Sequence, residues 1–96
     1  MKNYEIMFIV RPTLGESEIL SVAKSFEEVL TNNGANILNK KDMGQRELAY
    51  EIKKFKSGHY FAFEIEAANN KAIKEFDRLA LISNDMIRHL ITSIEK

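Results

Sequence analysis

Apolar and polar residues alternate in four stretches of the chain, a period typical of β-strands with one buried face. The first stretch covers residues 3–10 and ends before Pro12, which cannot donate a hydrogen bond to a sheet. The others cover residues 35–52, 59–67 and 86–94. The pattern predicts four strands, with a basic loop over residues 53–58 and a bulge or bend at Gly44 in the second strand.

Two further stretches carry apolar residues at helical spacing. In residues 16–33 these are Ile19, Val22, Phe26 and Leu30, and before Ser83 they are Ile73, Phe76 and Leu79. Thr13 and Glu16 have the spacing of a capping box, with Gly15 as the alternative cap. Asn69 or Asn70 can cap the second helix.

The element order β-α-β-β-α-β predicts an α+β, ferredoxin-like fold, built as one domain over residues 1–96. Right-handed crossovers place both helices on one face of a four-stranded antiparallel sheet and leave the other face open. The matched periods predict a core formed by Ile6, Phe8, Phe26, Leu30, Phe61, Phe63, Ile65, Ile73 and Phe76.

The open face is predicted to have an apolar centre and a charged rim. If Phe61, Phe63 and Ile65 face the helices, the centre is formed by Met7, Ile9, Tyr60, Ala62 and Leu90. In the last strand, the charge of Arg88 favours exposure, which places Met86, Leu90 and Thr92 outside and Ile87, His89 and Ile91 inside. Such a face is typical of a protein-docking surface, although scattered exposed apolar residues are also normal.

The net charge of the chain is zero, which argues against a protein that grips nucleic acid by charge alone. The charge is unevenly distributed, because residues 35–60 carry six basic and three acidic side chains. This surplus predicts a local RNA-contacting surface, the alternative being a solvated hairpin. The RNA-binding candidates are Lys2, Arg46, Lys53, Lys54, Lys56 and Arg88.

Catalysis finds little support in the sequence. There is no cysteine, and the two histidines, His59 and His89, show no metal-ligand or nucleophile spacing. We therefore expect no enzyme activity, no metal and no cofactor. Because no apolar stretch is long enough for a membrane span and the N-terminus lacks the apolar stretch of a signal peptide, we also expect a cytoplasmic protein. The RNA-recognition motif, a rival with the same topology, needs aromatics on the open face, whereas Phe61 and Phe63 are predicted to face the helices. A small acylphosphatase-like enzyme, the second rival, would need a substrate cradle, and no such motif is found in the sequence.

Four segments resemble bacterial small-subunit ribosomal protein six. They are Tyr-Glu-Ile-Met-Phe-Ile-Val-Arg-Pro at 4–12, Arg-Glu-Leu-Ala-Tyr-Glu-Ile at 46–52, Gly-His-Tyr at 58–60 and Asn-Asp-Met-Ile-Arg-His-Leu at 84–90. The resemblance spans nearly the whole chain in the right order. Glu47 departs from it, because many members carry a second arginine there.

The resemblance implies a structural constituent of the small ribosomal subunit. It would bind the central domain of small-subunit ribosomal RNA as a heterodimer with ribosomal protein eighteen, which is strongly basic in the family. For the protein-partner surface we predict Met7, Ile9, Leu48, Tyr50 and Tyr60. The competing interpretation is that Leu48 and Tyr50 are ordinary core residues under the first helix.

Overall fold

The computed structural model describes residues 2–94 and contains, within them, four strands and two helices in the predicted order. The elements are β1 (Lys2–Val10), α1 (Glu16–Asn32), β2 (Asn36–Ile52), β3 (Phe55–Ala67), α2 (Lys71–Ile82) and β4 (Met86–Ile94). The sheet has the strand order β2-β3-β1-β4, and every neighbouring pair is antiparallel. This is the ferredoxin-like fold that the sequence predicts.

The core lies between the sheet and the two helices and is centred on Phe8, which is fully buried. Its ring packs against four other phenylalanine rings, at centroid distances of 5.2 to 6.2 Å. These rings come from both helices and from β3, namely Phe26, Phe61, Phe63 and Phe76. The predicted core is confirmed, with Ile73 packed at its margin and only partly buried.

The predicted facing of β4 is wrong at its start. Met86 is buried in the core against the helices, and Ile87 lies outside that cluster. The cause is a β-bulge in β4, because Ile9 pairs with Arg88 whereas Val10 pairs with Met86. Ile87 is the extra residue, and an extra residue reverses the facing of everything before it. From Arg88 onward the predicted facing holds.

The predicted basic loop over residues 53–58 is also wrong, because both strands continue almost to the tip of the hairpin. Ile52 pairs with Phe55, which leaves only Lys53 and Lys54 in the turn. These two residues have φ values of 50° and 71°. Positive φ at both central positions is the geometry of a type I′ turn, which matches the twist of the strands it joins.

Candidate protein and RNA interface

The β2–β3 hairpin leaves regular pairing before it reaches its tip. Glu47 pairs with Ser57 and Ile52 pairs with Phe55, so residues 48–51 stand opposite the single residue Lys56. Three more residues are present on β2 than on β3, and β2 must therefore bulge away from its partner. We call residues 48–51 the hairpin excursion.

The hairpin excursion forms one wall of a depression on the open face of the sheet. All five residues predicted to bind a protein partner line this depression, together with Ala49, Ile52, Arg88 and Leu90. Ile9 is buried at 7% exposure, whereas Tyr50 is 63% exposed. The Tyr50 hydroxyl accepts a hydrogen bond of 2.9 Å from Nη1 of Arg88 on β4. The sheet thus supplies an apolar floor and the hairpin supplies an exposed aromatic wall.

This placement contradicts the interpretation of Leu48 and Tyr50 as core residues under the first helix. Both side chains line the face of the sheet opposite the helices, where they contact the same depression as Met7 and Ile9. Neither belongs to the buried cluster between sheet and helices.

Gly58 on β3 supports the floor of the depression by leaving room for its neighbours. A Cβ atom at this position would lie 2.3 Å from Cγ2 of Ile9 and 3.2 Å from the carbonyl oxygen of Val10. It would also lie 3.4 Å from Cδ1 of Ile87. Sequence reasoning missed this packing, and the available signal was a glycine inside a strand, which often marks a close approach.

We expect Gly58→Ala to lower the free energy of unfolding by about 1–3 kcal/mol, because the added methyl group overpacks a filled space. Urea denaturation of the free domain measures this change. Ile9→Ala removes the nearest clashing atom, so the double variant should lose less stability than the sum of the two single variants. Additive losses, or a neutral Gly58→Ala, would show that the contact with Ile9 is not tight.

A polar cluster fixes β2 ahead of the hairpin excursion. The Asp42 carboxylate accepts a hydrogen bond of 3.0 Å from the backbone N–H of Gly44 and lies 2.5 Å from Nε2 of His59. Gly44 has a φ of 78°, and the pairing of β2 with β3 shifts by one residue there, as predicted. Partial burial by itself raises the pKa of Asp42. The hydrogen bonds from His59 and Gly44, together with the charge of His59, outweigh this effect, and the pKa lies below its usual value. The Asp42 carboxylate therefore stays ionised until the pH falls below its usual range, and its protonation there weakens this anchor.

The predicted RNA-binding residues do not form one cluster. Four of them lie on the β2–β3 hairpin, where Arg46, Lys53, Lys54 and Lys56 are all exposed. Arg88 lies on the open face beside the hairpin excursion, at the edge of the depression. Lys2 begins β1 and pairs with Ala67, at the opposite end of the sheet. The structure thus brings the hairpin residues and Arg88 to one end and separates Lys2 from them.

The two histidines are engaged in structural contacts. His59 stacks on Phe61 at a centroid distance of 4.7 Å, and His89 lies 2.7 Å from the carboxylate of Asp77 on α2. In the part of the chain that the structure describes, no three acidic, histidine or cysteine side chains are grouped to hold a metal ion. Within the same residues, no helix is long and apolar enough to cross a membrane.

Comparison with known proteins identifies the family. The sequence model of the family described as "Ribosomal protein S6" matches residues 3–93, which is almost the whole chain. The chain belongs to the ribosomal protein S6 family. The crystal structure of 30S ribosomal protein S6 from Thermotoga maritima is similar to this chain with a TM-score of 0.93 and 26% sequence identity. The match covers 97% of this chain and 87% of that one. The resemblance seen in the four sequence segments is thereby confirmed, and the chain is a protein of the small ribosomal subunit.

Proposed function

We propose that this S6-family protein acts without catalysis, by binding the central domain of small-subunit ribosomal RNA as a heterodimer with ribosomal protein eighteen. The observation that carries the proposal is the depression on the open face. Five residues chosen from the sequence for a protein partner line it together, although they come from β1, β3 and the hairpin excursion. An apolar floor with exposed aromatic and charged groups at its edge is the anatomy of a protein interface.

The rival function, stacking of single-stranded RNA on the sheet, is not favoured by the position of the aromatic residues. Phe61 and Phe63 are 4% and 3% exposed on the helix side of β3 and cannot stack on bases. Tyr60 is the aromatic residue of β3 on the open face, and it lines the depression next to Ile9. Glu64 follows on the same face and repels phosphate.

Tyr50→Ala tests the protein-binding half of the proposal. We expect the dissociation constant for purified ribosomal protein eighteen to rise roughly thirtyfold, corresponding to about 2 kcal/mol, because exposed aromatic anchors dominate interface energies. The melting temperature of the free domain should barely change, because Tyr50 is largely exposed and contributes one surface hydrogen bond. Isothermal titration calorimetry and thermal denaturation measure the two quantities.

Leu81→Ala is the matched control, because Leu81 is a large apolar residue of similar exposure, 68%, on α2 in the helical layer. It should leave association unchanged. Tyr50→Phe should retain most of the affinity, since only the hydroxyl contact with Arg88 is lost. Unchanged association of Tyr50→Ala, with the fold intact, would place the partner elsewhere.

The hairpin tip offers a separate test of RNA binding. Lys53 and Lys54 adopt positive φ, which is unfavourable for residues with a Cβ atom and suits Asn-Gly in a type I′ turn. We expect Lys53→Asn/Lys54→Gly to raise the free energy of unfolding by about 1 kcal/mol. For RNA binding by the heterodimer, the plot of log affinity against log salt concentration should become less steep by about two, because two phosphate contacts are lost. Opposite effects on stability and on binding would separate a role in RNA binding from a role in folding.

Lys71→Gln/Lys74→Gln is the matched control for this variant. It removes the same charge from exposed positions on α2, away from the hairpin. The salt slope of the control should equal that of the unmodified protein. If the hairpin variant also keeps the original slope and affinity, the hairpin is a solvated turn without an RNA contact.

A further inference from the structure

The open face changes from apolar to acidic along its strands. Pairing of β1 with β3 places successive residue pairs in rows across the sheet, in the order Ile9–Tyr60, Met7–Ala62 and Glu5–Glu64. The first row lies in the depression beside the hairpin excursion, and the last row holds two carboxylates directly opposite each other. These rows lie four residue steps apart on β1, which corresponds to about 13 Å along the strand.

The two carboxylates are not neutralised within the part of the chain that the structure describes. Neither Glu5 nor Glu64 takes part in an ion pair in residues 2–94. Lys41 lines a second, shallow depression from the β2 edge, together with both glutamates and Met7, without forming an ion pair with either glutamate. Like charges at opposing positions on neighbouring strands are destabilising. The free domain therefore carries an unfavourable contact next to the apolar centre of its open face.

We propose that the open face binds a partner segment that runs along β1 and β3, fills the depression with a large apolar side chain, and places an arginine or lysine over Glu5 and Glu64. This inference rests on the proposed function, a basic protein docked on this face, and adds the direction and register of docking. The charge of the carboxylate row favours a cationic group there. An extended segment covers the distance in about four residues and a helix in about nine.

An arginine fits the carboxylate row particularly well, because its planar fork can donate to both carboxylates at once. Ribosomal RNA does not fit this row, since two carboxylates repel phosphate. The partner covers the open face from the depression to the carboxylate row, and the RNA contacts the basic residues at the tip of the hairpin.

The test uses Glu5→Gln/Glu64→Gln in the full chain, with purified ribosomal protein eighteen as the probe. Because the repulsion between the two carboxylates is removed, the free variant should melt at or above the temperature of the unmodified protein. The dissociation constant for the partner should nevertheless rise about tenfold or more. This difference in affinity should shrink as the salt concentration increases. Glu18→Gln/Glu28→Gln is the matched control, because it removes the same two charges from exposed positions of α1 and should not change association.

The outcomes separate this inference from the proposed function. If Tyr50→Ala weakens association but Glu5→Gln/Glu64→Gln does not, the register proposed here is wrong and the heterodimer stands. If the unmodified protein does not bind the partner at all, both proposals fail. If Glu5→Gln/Glu64→Gln binds ribosomal RNA more tightly in the absence of the partner, this end of the face is oriented towards RNA and the inference is overturned.

Discussion

Phe8→Ala is expected to lower the free energy of unfolding by about 3–5 kcal/mol, which is a large part of the stability of a domain of this size. Phe8 is fully buried and packs against four other phenylalanine rings from β3 and both helices. Removal of its ring leaves a cavity that the surrounding elements cannot close without moving the helices relative to the sheet. Urea denaturation followed by circular dichroism measures the loss.

Two further variants give the scale for this loss. Phe61→Ala removes a ring stacked on Phe8 at 5.3 Å from a position that is 4% exposed, and a similar loss of about 3–5 kcal/mol is expected. Leu81→Ala, at an exposed position of α2, should change the free energy of unfolding by less than about 0.5 kcal/mol. A loss below about 1 kcal/mol for Phe8→Ala would mean that the aromatic cluster does not hold the two layers together.

The fold could be predicted from the sequence because the apolar patterns of its strands and helices agree with one another. Each strand has one strongly apolar face and each helix one apolar stripe, so Phe8, Phe63 and Phe76 could be assigned to a common core. The bulge in β4 could not be predicted, because Met86 and Ile87 are adjacent and equally apolar. Only packing decides that Met86 enters the core while Ile87 contacts the space above Gly58.

The hairpin shows a different reason for the limits of sequence reasoning. Type I′ turns are usually recognised by asparagine and glycine, and Lys53-Lys54 carries neither signal. Regular alternation from Arg46 to Ile52 predicts an undisturbed strand, yet the pairing shifts by three residues between Glu47 and Ile52. The alternation still groups Leu48 with Tyr50, and both line the depression on the open face. The partner residues were therefore predicted as a set, although their geometry was not.

Partner dependence is the second large effect that we expect. The chain has no net charge, and most of its local basic surplus lies at the hairpin end, where Arg46, Lys53, Lys54 and Lys56 lie near Glu47 and Glu51. Four basic and two acidic groups give a local charge of +2, which can release few counterions from RNA. Tight binding at physiological salt then requires charges from a second protein. The affinity for the ribosomal RNA should rise at least about 100-fold when ribosomal protein eighteen is bound.

The most direct measurement is an equilibrium titration of a labelled central-domain fragment of small-subunit ribosomal RNA, at physiological salt, with three protein samples. These are the chain alone, ribosomal protein eighteen alone and an equimolar mixture. We predict weak, strongly salt-dependent binding by the chain alone and tight binding by the mixture, with both proteins in the complex. Tyr50→Ala should reduce the gain from mixing. Nanomolar binding by the chain alone, or a mixture that binds no more tightly than its better component, would contradict the proposed heterodimer.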